Sequence, residues 1–127
     1  MVELTVLLAR KDSVCLNQAR LDQLITEMGE TGAQNVICRA LEALTARLSE
    51  LEEHFATGRT HGIHKQAKSL IGIAEQIGMD TLAQVARDVH DCSARHDRVA
   101  LSATLARLIR IGDCSLLKIW ELQDLSG

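Results

Sequence analysis

The chain has 127 residues, a formal charge of −3, 46% hydrophobic and 24% charged residues, and no proline. That length fits one domain over 1–127 with a single core. With Phe55 and Trp120 as the only aromatic residues, the core must be built from Leu, Ile, Val and Ala, which suits packed helices better than a β-sandwich.

No basic run or aromatic platform is present, which argues against nucleic-acid binding. No apolar stretch reaches the roughly 18 residues a membrane span requires. The start carries Glu3 and no cationic lead-in, so it does not read as a signal peptide, and a cytoplasmic location is expected.

Residues 2–10 alternate in part and then run apolar through Leu7 and Leu8; a helix lying against the rest of the domain is expected there. A first clear helix spans about Leu16 to Met28, with Leu21, Leu24, Ile25 and Met28 on one face and Gly29 and Gly32 bracketing its exit. The next spans about Ala33 to Ala56, where Ile37, Leu41, Leu44, Leu48, Leu51 and Phe55 form an apolar seam at heptad spacing, and Gly58 stops it. A third runs from about His61 to Ile77 on the seam Ile63, Ala67, Leu70, Ala74 and Ile77. Gly78 ends it, and Asp80 is placed to cap a fourth, which carries Leu82, Val85, Ala86 and Val89 to about Ser93. After the polar turn Ala94–Asp97 a last helix spans about Arg98 to Leu122, with Leu101, Leu105, Leu108, Leu116 and Trp120 usable as core and Gly112 as a point of kinking or ending. The pattern predicts an all-α fold, an antiparallel four-helix bundle with an additional N-terminal helix. Seams of that length also suit a homodimer.

Cys15, Cys38, Cys92 and Cys114 are widely spaced, without a C-x-x-C pair, and read as buried free thiols. His90 precedes Cys92 too closely to make a catalytic dyad with it. No cofactor is implied, and His61 with His64 at i,i+3 is too small a set for a metal site.

The third helix carries the functional signal. Gly72 lies mid-helix, where glycine costs about 1 kcal/mol relative to alanine. A rotation of about 100° per residue places it opposite the apolar seam, so core packing does not explain it. Close approach of another molecule to the backbone is one reading, and neutral drift on an exposed helix face, where an isolated glycine is tolerated, is the other. His61, His64, Lys68 and Glu75 share that outer arc with Gly72.

The stretch Ala67-Lys68-Ser69-Leu70-Ile71-Gly72, followed by Gly78 and Leu82, resembles the signature of histidine-phosphotransfer (HPt) domains: a small residue, the phosphoacceptor histidine, an apolar residue, a lysine and a glycine, then a helix-ending glycine and a leucine. Ala67, Leu70, Gly72, Gly78 and Leu82 fall in register over about 16 residues. The resemblance implies a helical bundle that takes part in a two-component phosphorelay and docks the receiver domain of a response regulator, or a hybrid histidine kinase, through the outer face of this helix.

The chain departs from the signature at two positions. Lys68 stands at the phosphoacceptor position, and Ile71 stands where the family has its lysine. A lysine amine, with an ordinary pKa of about 10.4, is protonated at neutral pH and is no nucleophile without strong desolvation. The resemblance therefore implies docking through His61, His64, Lys68, Gly72 and Glu75 without standard histidine phosphotransfer. If phosphate is taken up at all, His64, one turn earlier on the same face, is the displaced acceptor. The alternatives are a structural or interaction bundle with no phosphorelay role and, last, a small enzyme using His61, His64 and Glu75.

Overall fold

The computed structural model describes residues 17–126, the last helix beyond residue 116 as backbone only. Four helices occupy them: α1 (Gln18–Ala56), α2 (Thr60–Gln76), α3 (Asp80–Ala94) and α4 (Arg98–Ser126), with no strand among the described residues. The additional N-terminal helix expected before residue 16, together with Cys15 and the Trp120 side chain, lies outside the described residues. No helix among the described residues is long and apolar enough to cross a membrane.

The first two expected helices are present as two segments of α1 that meet at a kink, with a single non-helical residue between them. Gly29 takes φ 75°, ψ 171° inside α1, and helical geometry resumes immediately after it. Glycine reaches that left-handed φ without a Cβ penalty, so one residue does the work of the loop expected over Gly29–Gly32. The bend also corrects a face assignment: Leu21 and Leu24 are buried, but Met28, next to the bend, is 48% exposed.

The three connections repeat one turn. The N–H groups of Arg59, Met79 and Asp97 donate to the carbonyls of His54, Ala74 and Cys92, at 2.8, 2.9 and 3.2 Å, and those of Gly58, Gly78 and His96 donate to Phe55, Glu75 and Ser93. The residue before each of Arg59, Met79 and Asp97 is left-handed: Gly58 at φ 72°, Gly78 at φ 78° and His96 at φ 57°. This is the Schellman arrangement, in which otherwise orphaned carbonyls at a helix end find donors. Gly58 and Gly78 therefore end their helices as their positions predict. Asp80 does not cap α3. Met79 occupies the N-cap without a side-chain bond, and the Asp80 carboxylate instead accepts from Asn17 Nδ2 at 2.8 Å.

That contact belongs to a clasp between the start of α1 and the α2–α3 turn. The Asn17 N–H donates to the Gly78 carbonyl at 2.7 Å, Arg20 Nε donates to the Gln76 carbonyl at 2.8 Å, and the Asn17 side chain caps α1 by accepting from the Arg20 N–H at 3.2 Å. Gly78 is packed as well as turned: a Cβ there would lie 2.9 Å from the Cβ of Arg20 and 3.0 Å from that of Asn17.

Each helix packs on the next and α4 closes on α1, so the four form a ring around one core. The two seams meet as their apolar stripes require: Ile37, Leu41, Leu44, Leu48 and Leu51 of α1 and Ile63, Ala67, Leu70 and Ala74 of α2 are all buried in the same cluster, with Leu82, Val85, Val89, Leu101, Leu105 and Leu108 from the other two helices. Gly112 does not divide α4, which runs unbroken from Arg98 to Ser126. It is buried, and a Cβ on it would lie 2.6 Å from Leu48 Cδ1, so its place in the fold is a close approach of α4 to α1.

The thiols differ from their expected uniform burial. Cys92 is buried, Cys38 is half-buried and Cys114 is exposed, the last because its position on α4 faces away from the neighbouring helices. Burial, and then the nearby Glu42 carboxylate, raise the Cys38 thiol above its ordinary pKa.

Candidate functional site

The core contacts of α2 fix the rotation of the helix and so decide what it offers to solvent. With Ile63, Ala67, Leu70 and Ala74 turned inward, His61, Lys68, Gly72 and Glu75 are exposed. Gly72 is the barest point of this face: nothing lies within 4 Å of where its Cβ would stand. A Cβ there would meet no neighbouring group, so no close intramolecular packing calls for glycine. Ile71, at the position where the HPt signature has lysine, is half-buried and packs against the core.

Two members of the expected face are drawn toward α3. Glu75 pairs with Arg87 in a contact open to solvent on both sides, of a kind that adds little stability, since exposed pairs are worth about 0–1 kcal/mol. His64 is half-buried, and its ring lies against that of His90, with centroids 4.0 Å apart and the planes tilted by 31°. The His64 imidazole is held below its ordinary pKa by loss of hydration and then by the neighbouring His90, His61 and Lys68. Nδ1 of His90 is in turn 3.6 Å from an Asp91 carboxylate oxygen.

The face is therefore a strip of bare backbone at Gly72 and cationic Lys68, flanked on the α3 side by a pair of imidazoles and an ion pair. At the other end of the strip Gly62 lets α1 approach, since a Cβ on it would lie 2.6 Å from the His54 ring. His90 and Arg87 are the residues that sequence reasoning does not bring to the site. Their spacing places them on a polar flank of α3, but only the packing of α3 on α2 aims that flank at His64 and Glu75. His90 turns to His64, not to Cys92. No group of three or more potential metal-ligating side chains gathers among the described residues.

No protein-family model, no curated protein and no solved structure matches the chain. The likeness to HPt domains thus stands on the residues of α2, its exit turn and the first turn of α3 alone.

Chemically, the face presents cations and a stretch of uncovered backbone to a partner. It does not assemble a nucleophile with a base and an orienting group in the way a hydrolytic site does. Lys68, exposed and one turn from His64, has none of the apolar surroundings that would free its amine to attack.

Proposed function

We propose that the chain is an HPt-like docking protein of a two-component phosphorelay, which binds the receiver domain of a response regulator, or of a hybrid histidine kinase, on the outer face of α2 without standard histidine phosphotransfer. The observation that carries this reading is Gly72: a mid-helix glycine, exposed, with open space where a side chain would be. Such a residue weakens its own helix, and a partner whose loops lie on the backbone accounts for it. The four-helix ring and the match of Ala67, Leu70, Gly78 and Leu82 to the HPt register support the reading, and Lys68 beside Gly72 suits a partner with an acidic surface.

Lys68 in place of histidine and Ile71 in place of lysine remove the acceptor and the cation that the transfer needs. The wild-type protein, incubated with a phosphorylated receiver domain, is expected to gain no acid-labile phosphate. Phosphate on His64 that disappears in His64→Ala would replace docking alone with transfer to a displaced acceptor. Pull-down of a panel of receiver domains by the immobilised chain tests the docking itself. If no receiver binds, the phosphorelay reading falls and a plain interaction bundle takes its place.

A further inference from the structure

The His64–His90 pair lies outside the fold's core cluster, yet it joins the docking helix to its neighbour. The two rings sit 4.0 Å apart between centroids. The side chains acting on His64 are all basic, His90 from α3 and His61 and Lys68 from α2 itself, and the one opposing contact is a hydrogen bond with the His90 backbone. On the α3 side Asp91 approaches His90, not His64, and is 63% exposed. Arg87 of α3 is taken up by Glu75. From α1, His54 packs on Gly62 at the start of α2. The chain by itself therefore collects positive charge around two touching imidazoles and supplies little negative charge to balance it.

We propose that the pair makes docking proton-linked: an acidic partner settles on α2 together with a proton taken up at His64–His90, so that affinity rises as the pH falls. This rests on the docking reading above. In the free chain, protonating His64 would charge a ring that has lost hydration and lies against a second imidazole within reach of Lys68, and both effects disfavour the imidazolium. Carboxylates brought by the partner reverse the balance and stabilise the imidazolium. The sign follows from linkage. Between the titration midpoint of the free chain and the higher midpoint of the complex, the complex holds more protons, so its formation strengthens as protons are added. Below the free-chain midpoint both states are protonated and the affinity levels off.

Calorimetric titration of the wild-type chain with a receiver domain, in two buffers of different ionisation enthalpy, counts the protons directly. Uptake of a substantial fraction of one proton is expected at pH 7. Affinity is expected to rise at least threefold, and at most about tenfold per pH unit, between pH 7.5 and 6.0 at fixed ionic strength. His64→Asn should flatten that slope, which separates the pair from titrating groups on the partner. In the free chain, the imidazole resonances of His64 should titrate at a higher pH in His90→Gln than in wild type, with circular dichroism confirming that the variant is folded. Binding with no proton uptake and no pH slope overturns the linkage and leaves docking standing. A His64 midpoint unmoved by His90→Gln overturns the pair as its seat. Absence of binding to any receiver at any pH overturns the docking reading and the linkage with it.

Discussion

Gly78→Ala is expected to destabilise the fold by about 2–5 kcal/mol, the sum of two separate costs. The first is conformational. Gly78 sits at φ 78°, and a residue with a Cβ gives up roughly 1–2 kcal/mol to adopt the left-handed conformation. The second is steric. The new Cβ would meet the Cβ atoms of Arg20 and Asn17 at 2.9 and 3.0 Å. Those atoms are attached directly to backbone that is itself pinned by the bonds from Asn17 to Gly78 and from Arg20 to Gln76. They cannot rotate away, and overpacking of this sort costs about 1–3 kcal/mol. Gly58→Ala is the internal control. Gly58 is left-handed to the same degree, at φ 72°, but has nothing within 4 Å of its Cβ position, so it should lose only the conformational part. Urea denaturation of the two variants and the wild type isolates the steric cost as the difference between them. Equal losses would mean that the clasp yields freely and does not anchor the α2–α3 turn to α1.

These glycines also show how much of the molecule can be read in its sequence. Helix existence and the two long seams are legible because an apolar stripe repeated over many turns has to be covered, and only a neighbouring stripe can cover it. Gly58 and Gly78 are legible as stops for the same local reason. The break at Gly29 is legible too, but its length of one residue is not: a glycine can begin a loop or only bend a helix, and the choice depends on whether the chain after it packs on the same core. His96 is harder still, since a left-handed histidine has no compositional mark, and its turn is recognised only by its bonds to Cys92 and Ser93. The His64–His90 contact required knowing how α3 is rotated against α2, which neither helix encodes alone.

The same distinction bears on the HPt resemblance. Ala67, Leu70 and Leu82 are buried and Gly78 makes a turn and a clasp, so the fold explains all four without any partner. Of the residues in register, Gly72 alone is unexplained from within. The signature is thus informative about function at one residue, together with Lys68 beside it, and the decisive experiment belongs there.

Gly72→Gln is accordingly expected to reduce receiver binding at least tenfold, about 1.4 kcal/mol, while leaving the fold intact or improved. A Cβ at this exposed position meets nothing within 4 Å in the free protein, and glutamine is the better helix former. In the complex that space is the partner's, and the glutamine would hold its loops off the backbone. Gly72→Ala separates the two effects, since it should raise stability by up to about 1 kcal/mol and, adding only a methyl group, cost less affinity than glutamine. Lys68→Ala should also weaken binding, through charge and not shape, so its effect should shrink between low and high salt as screening removes the attraction in both proteins, whereas the Gly72→Gln loss should persist. Titrations of the three variants against a receiver that binds the wild type, run at two salt concentrations beside thermal melts, read all of these at once. A Gly72→Gln protein that is folded and binds like wild type would remove the outer face of α2 from the interface, and with it the reason for a glycine in the middle of that helix.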